Sequence, residues 1–340
     1  FTVESPPPLT YTCPADTTVE PCLTAAQIQT AFDNWLANAT DTANVIISGG
    51  CDIDITHNAP ALPDFTCEGG DVAVTFTITE YDADGDVCET QECTATFTVE
   101  SPPDLTYTCP ADTTVEPCLT AAQIQTAFDN WLANATDTAN VVISGGCDID
   151  ITHNAPALPD FTCEGGDVAV TFTITEYDAD GDVCETQECT ATFTVESPPD
   201  LTYTCPADTT VEPCLTAAQI QTAFDNWLAN ATDTANVIIS GGCDIDITHN
   251  APALPDFTCE GGDVAVTFTI TEYDADGDVC ETQECTATFT VESPPDLTYT
   301  CPADTTVEPC LTAAQIQTAF DNWLANATDT ANVIISGGCD

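Results

Sequence analysis

The chain has no lysine and no arginine in its 340 residues. A nucleic-acid binder needs cations to displace counterions from phosphate, so that class is excluded. Anionic membrane surfaces repel the chain for the same reason. Trypsin-like proteases find no cleavage site in it. Long apolar runs are also missing: none could cross a bilayer, so this segment inserts no helix into a membrane. No leader peptide is legible, because the chain opens on a strand-like run. Only three histidines are present, and no Ser-His-Asp constellation is evident. Acids this abundant cannot support an argument for a paired-carboxylate hydrolase, and near-identical copies of one active site would be unusual, so no enzyme is expected.

What is present is acid and cysteine. There are 57 acidic residues and a formal net charge of -57, yet 43% of residues are hydrophobic. A disordered acidic tail would be poor in apolar residues, so this is a folded protein with an acidic skin. Its natural companions are calcium, magnesium or basic surfaces. The 21 cysteines place it in an oxidising compartment, extracellular or periplasmic, with structural disulfides.

The sequence repeats every 96 residues: Cys13, Cys109, Cys205 and Cys301 are equivalent, as are Trp35, Trp131, Trp227 and Trp323. Such a period means an array of like units. Residues 1–4 read as the last strand of a preceding repeat. Residues 5–100, 101–196 and 197–292 are repeats 1 to 3, and 293–340 is a partial repeat 4. A full repeat holds six cysteines and the partial one three, so the odd total reflects where the sequence stops. The seams carry Glu-Ser-Pro-Pro-Asp, as at Glu100 to Asp104. Paired prolines favour extended polyproline geometry over a floppy linker.

Within repeat 1, Leu9–Cys13 alternates as a strand and Thr17–Cys22 is a short edge strand carrying Pro21. Residues 23–38 form the one clear helix. Thr24 and Gln27 make a capping box, and Leu23 with Ile28 makes a hydrophobic staple. Ile28, Phe32, Trp35 and Leu36 share one apolar stripe, which marks core. Residues 44–48, 52–57, 71–81 and 93–100 read as strands, with 82–93 as a loop. Many short strands, polar turns and one inserted helix predict a mainly β fold of tandem immunoglobulin-like β-sandwich repeats.

Six cysteines per repeat allow fifteen pairings, and spacing alone does not choose. Strand parity favours Cys13–Cys93 across the core. Cys22–Cys51 would bracket the helix, and Cys67–Cys88 the long strand and its loop. The same scheme gives Cys109–Cys189, Cys118–Cys147, Cys163–Cys184, Cys205–Cys285, Cys214–Cys243, Cys259–Cys280 and Cys310–Cys339. The alternative, a zinc site at Cys88 and Cys93, leaves the other cysteines unexplained.

No cofactor is required, with calcium as the one candidate. The loop Asp82, Asp84, Asp86 clusters carboxylates, as do Asp178, Asp180, Asp182 and Asp274, Asp276, Asp278. Asp-x-Asp spacing suits calcium's flexible oxygen sets; the competing reading is an Asp-Gly hairpin turn. Asp52, Asp54 and His57 form a second polar cluster, with His57 a surface side chain. Asn38-Ala39-Thr40 is an N-x-T sequon, repeated at Asn134, Asn230 and Asn326.

The segments CPADTTVEPC, LTAAQIQTAFDNWLANAT, SGGCD and C-x-A-TFTV together resemble the tandem repeats of very large Bacteroidetes surface adhesins. Among these they resemble the SprB-like gliding-motility adhesins of flavobacteria, and the strand ends are similar to hyalin-repeat modules. The resemblance spans the whole repeat. It implies type IX secretion, display as filaments at the outer membrane, and motility and secretion machinery as partners through regions outside this segment. It also implies O-glycosylation at Asp-Ser/Thr motifs, which Thr17, Thr42, Thr113 and Thr138 match. The expected function is the structural stalk of a cell-surface adhesin serving attachment and gliding. The expected partners are further repeats and an external surface or polysaccharide. The alternatives are multivalent glycan-binding repeats, or a pilus or surface-layer subunit.

Overall fold

The computed structural model describes residues 1–2, 4, 7–329 and 333–339. Val3, within the short strand expected at 1–4, lies outside the described residues. Among the described residues the fold is mainly β, with repeated sheet units, four helices and eight disulfides.

Repeat 1 runs β1 (Thr10–Tyr11), β2 (Thr17–Val19), α1 (Ala25–Thr40), β3 (Ile47–Ser48), β4 (Asp52–His57), β5 (Gly70–Tyr81) and β6 (Val87–Val99). Strands β5 and β6 form a long antiparallel hairpin, since Val74, Phe76 and Ile78 alternate with threonines over a full strand length. Strand β4 adds antiparallel on one edge and β2 adds parallel to β6 on the other, giving the order β2-β6-β5-β4. Strands β1 and β3 pair separately as a two-stranded sheet.

Thr24 caps α1 with the expected box: its side chain accepts from the Gln27 N–H, and Gln27 Oε1 accepts from the Thr24 N–H at 2.9 Å. Ile28, Phe32, Trp35, Leu36 and Ala39 are buried along one stripe. That stripe lies on the four-stranded sheet. The Phe32 ring meets Phe97 edge-on at 5.1 Å, and Trp35 meets Phe76 at 5.7 Å. Trp35 also donates its indole N–H to the Ala15 carbonyl at 3.2 Å. Helix α1 therefore covers the sheet face that a second large sheet would cover in a two-sheet sandwich. Repeat 1 thus has a four-stranded sheet, one covering helix and the small β1–β3 pair, and a second large sheet is not among its described elements. The expected 82–93 loop is also shorter, because strand β6 already begins at Val87.

The chain divides into two compact units. Unit 1 is Phe1–Val115, Ala122–Pro159 and Gly166–Val195. Unit 2 is Glu116–Ala121, Asp160–Gly165 and Glu196–Asp340. The division cuts across the repeats because Cys118 and Cys163, in the two short segments of unit 2, are bonded to Cys243 and Cys280 of that unit. Repeat 3 in unit 2 keeps the same aromatic packing, with Phe224 against Phe289 and Trp227 against Phe268. The partial repeat 4 has the helix Ala313–Thr328 without the covering sheet, and Ile316, Phe320 and Leu324 on its stripe are exposed.

Candidate functional site at the repeat joints

Each seam is fastened on both sides. In unit 1, the Ser101 hydroxyl donates to the Glu68 carbonyl at 2.6 Å, and the Gly146 N–H donates to the Pro103 carbonyl at 3.0 Å. Gly145, at φ +84°, lies so close that a Cβ there would sit 2.1 Å from the Asp104 carbonyl oxygen. Only glycine fits that approach. In unit 2, Ser197 bonds the Glu164 carbonyl at 2.6 Å and Gly242 bonds the Pro199 carbonyl at 2.9 Å.

The cysteines decide what the joint is. Cys13 is bonded to Cys93, Cys109 to Cys189 and Cys205 to Cys285, each closing one repeat on itself. The other pairs cross between repeats. Cys22 is bonded to Cys147, not to Cys51, and Cys67 to Cys184, not to Cys88. Cys118 is bonded to Cys243 and Cys163 to Cys280, which corrects the expected Cys118–Cys147, Cys163–Cys184, Cys214–Cys243 and Cys259–Cys280. Cys214 is bonded to Cys339, which corrects Cys310–Cys339. In every case the partner is the expected cysteine displaced by one period. Cys51, Cys88, Cys259, Cys301 and Cys310 carry free thiols. Partial desolvation, with Asp82 and Glu80 nearby, holds the Cys88 thiol above its ordinary pKa, so it stays protonated and weakly nucleophilic. Cys22 itself has φ +61°, a left-handed conformation uncommon outside glycine.

The Asp-rich loops are hairpin turns that also dock one repeat on another. Asp82 Oδ1 accepts the N–H groups of Asp84 and Asp86, both at 2.9 Å. Asp178 repeats this with Asp180 and Asp182, and Asp274 with Asp276 and Asp278. Asp180 Oδ2 then accepts the Ala25 N–H at 2.7 Å, at the first residue of α1 in the neighbouring repeat. An acid there satisfies an orphan helix N–H and complements the helix dipole. Asp276 does the same for Ala121 at 2.7 Å. The Thr66 hydroxyl holds the Asp178 carboxyl below the usual carboxylate range, helped by backbone N–H groups of its own loop. Thr162 acts likewise on Asp274.

Among the described residues, the groups whose ligand atoms converge are Cys67, Asp178, Cys184 and Cys163, Asp274, Cys280. Their cysteines are disulfide-bonded, so neither group offers a thiolate. The three loop acids Asp82, Asp84 and Asp86 are not among the converging groups. Asp52, Asp54 and His57 are exposed, and His57 Nδ1 accepts the Ala59 N–H at 3.2 Å. Asn38 and Asn134 are exposed on the last turns of their helices, and Thr40 donates back to the Leu36 carbonyl. Thr42 and Thr138 are exposed, while Thr17 and Thr113 are half-buried in edge strands.

One side chain at the joint escaped the sequence reading. Glu176 is 5% exposed, as are Glu80 and Glu272. The signal was available: the inward alternation Val74, Phe76, Ile78 runs one step further to Glu80.

No protein-family profile matches the chain, and no curated protein matches it. Solved structures similar to it are tandem immunoglobulin and extracellular or adhesive domains. A variant of the titin fragment I67–I69 is 9% identical with a TM-score of 0.22, over 86% of this chain and 100% of that one. Sidekick-1 immunoglobulin domains 1–5 are 9% identical at 0.21, over 85% and 60%. The sialic acid binding region of a Streptococcus sanguinis SK1 adhesin is 12% identical at 0.16, over 95% and 88%. At these scores the likenesses carry no argument for function. Among the described residues, no helix is long and apolar enough to cross a membrane.

Proposed function

We propose that the chain is a load-bearing stalk segment of a cell-surface adhesive array, structural and not catalytic. The observation that carries this reading is the pair of disulfides joining successive repeats, Cys22–Cys147 with Cys67–Cys184 and Cys118–Cys243 with Cys163–Cys280. A binding module needs no covalent bond to its neighbour. A tether under tension does, because non-covalent joints between small domains open under sustained force. Disulfides also require an oxidising compartment, which supports a place outside the cell. The large acidic charge favours solubility and spacing between copies. Within this proposal, attachment and gliding at an outer membrane are the finer expectations, drawn from the resemblance to flavobacterial adhesins.

The test places the chain between a surface anchor and a module of known ligand, and measures detachment under flow. The expected result is that Cys22→Ser with Cys67→Ser lowers the shear at which beads detach, while the chain alone, in single copy, binds no glycan on an array. Equal detachment with and without the cross-bonds, or strong glycan binding by the chain alone, would overturn the stalk reading.

A further inference from the structure

One of the cross-repeat bonds of unit 1 has a charge fixed at its side. A carboxylate oxygen of Asp178 and the Sγ atoms of Cys67 and Cys184 all lie within 4.8 Å of one another. Asp178 is 4% exposed, and its Oδ1 accepts the N–H groups of Asp180 at 2.9 Å and Asp182 at 2.8 Å, so the carboxylate cannot turn away. The Thr66 hydroxyl lowers its pKa and keeps it ionised at neutral pH. Both cysteines are half-buried and line a cavity of about 390 Å³ at the joint, whose wall also holds Glu68, Asp104, Glu176 and Glu185. No lysine or arginine offsets these charges. Unit 2 repeats the arrangement, with Asp274 beside Cys163–Cys280 and a cavity of about 380 Å³ lined by Glu164, Asp200, Glu272 and Glu281. Among the described residues, the bond Cys13–Cys93 belongs to no such group.

A disulfide opens when a thiolate attacks one sulfur: the new S–S bond forms, the old one breaks, and its electron pair leaves on the other sulfur. A second thiolate then attacks the mixed disulfide, releasing the small oxidised disulfide and a second protein thiolate, and both protein sulfurs take protons from water. Negative charge therefore gathers twice beside Asp178, on the incoming sulfur and on the leaving one, and fixed carboxylates repel both. A sulfur whose thiol is a weaker acid also departs more slowly. Cys88, which holds the position of Cys184 in repeat 1, has that character as a free thiol: partial desolvation, then Asp82 and Glu80, push its pKa up. The handicap on departure is the same for every attacker, whereas the repulsion on approach depends on the charge an attacker carries beyond its sulfur.

We propose that Cys67–Cys184 and Cys163–Cys280 are charge-selective exchange sites, with Asp178 and Asp274 as the selecting groups: they open to thiols that carry a cationic group and resist thiols that carry a carboxylate. Cysteamine represents the first class, glutathione and mercaptoacetate the second. The bonds that join repeats thus persist among anionic thiols. This selectivity holds whether or not the joint bears load.

The experiment blocks the free thiols of the oxidised full chain with a light alkylating reagent. The chain then meets cysteamine, 2-mercaptoethanol or mercaptoacetate at equal thiolate concentration, and a heavy reagent quenches each time point. Mass spectrometry of the peptides reads the opening of each bond type, with Cys67 and Cys163 pooled because their peptides are identical. The expected rate ratio of cysteamine to mercaptoacetate at the joint bonds exceeds that at Cys13–Cys93 by about tenfold. It should shrink as salt is raised, and fall towards the Cys13–Cys93 value in Asp178→Asn with Asp274→Asn. Asparagine keeps an oxygen for the loop N–H groups, and a merely loosened joint would raise all three rates together and leave the ratio alone. Equal ratios at the two bond types in the wild type, or a ratio that survives the double variant, would overturn the proposal.

Discussion

Pulling the oxidised chain from its two ends should meet a limit far short of its full contour length. Cys13–Cys93 and Cys109–Cys189 each bridge a sequence separation of 80 residues, and Cys214–Cys339 bridges 125. A taut path from Phe1 therefore runs to Cys13, across to Cys93, through the seam to Cys109, across to Cys189, on to Cys214 and across to Cys339. That path uses only about 50 residues of backbone, which at roughly 3.4 Å each, with the disulfide spans, gives a limit of about 200 Å. A second route, through Cys22–Cys147, Cys163–Cys280, Cys205–Cys285 and Cys214–Cys339, has nearly the same length. With every disulfide reduced, the same chain reaches about 1,150 Å. Single-molecule force spectroscopy with and without reductant reads both limits. An oxidised chain that extends beyond about 300 Å before rupture would refute the bonding pattern, since the shortest route through these bonds limits it to about 200 Å. The bonds act on stability as well: closing an 80-residue loop in the unfolded chain removes entropy worth about 4–5 kcal/mol in the loop-closure model.

Other consequences follow from the joint. A specific protease site inserted between Ser101 and Pro102, once cut, should leave one band on a non-reducing gel and two on a reducing gel, because Cys22–Cys147 and Cys67–Cys184 still join the pieces; separation without reductant would contradict the cross-bonds. Gly145→Ala should lower the stability of unit 1 by at least about 2 kcal/mol, since its Cβ would meet the Asp104 carbonyl at 2.1 Å. Gly181→Ala, at φ +92° with nothing within 4 Å, should cost less, about 1 kcal/mol of backbone strain. Chemical denaturation of the two variants side by side checks the order. Asp64, Asp178 and Asp274 have folded pKa values depressed by threonine hydroxyls, Thr66 acting on Asp64 of its own repeat and on Asp178 of the next, and Thr162 on Asp274. Their contribution is fully present above the unfolded carboxylate pKa of about 3.9 and is lost as pH falls through the lower folded value. Melting temperature from pH 5 to pH 2 should therefore fall less steeply in Thr66→Val with Thr162→Val than in the wild type; parallel curves would remove Thr66 and Thr162 from that role.

Much of the repeat is local physics, and so was legible in residues. Thr24, Gln27, Leu23 and the stripe from Ile28 to Leu36 specify a capped amphipathic helix whatever surrounds them. The alternation through Val74, Phe76 and Ile78 specifies a strand with one buried face. The period itself announces an array. The covering of that face was not legible, because a helical stripe and a second sheet satisfy the same apolar demand; the contacts of Phe32 with Phe97 and Trp35 with Phe76 settled it. The acids of the Asp-rich loops were legible as a turn, but their docking on the neighbouring helix was not, since Asp180 and Ala25 are 155 residues apart. The cysteines mark the boundary most sharply. The proposed scheme paired the right position types, Cys22 with the Cys51 type and Cys67 with the Cys88 type, though spacing alone did not choose it. Near-identical copies carry no label to say which copy is meant. Only the approach of one repeat to the next, with Cα atoms of Cys22 and Cys147 brought to 5.3 Å, chose the neighbour, and with it turned a string of modules into a covalently cross-linked array.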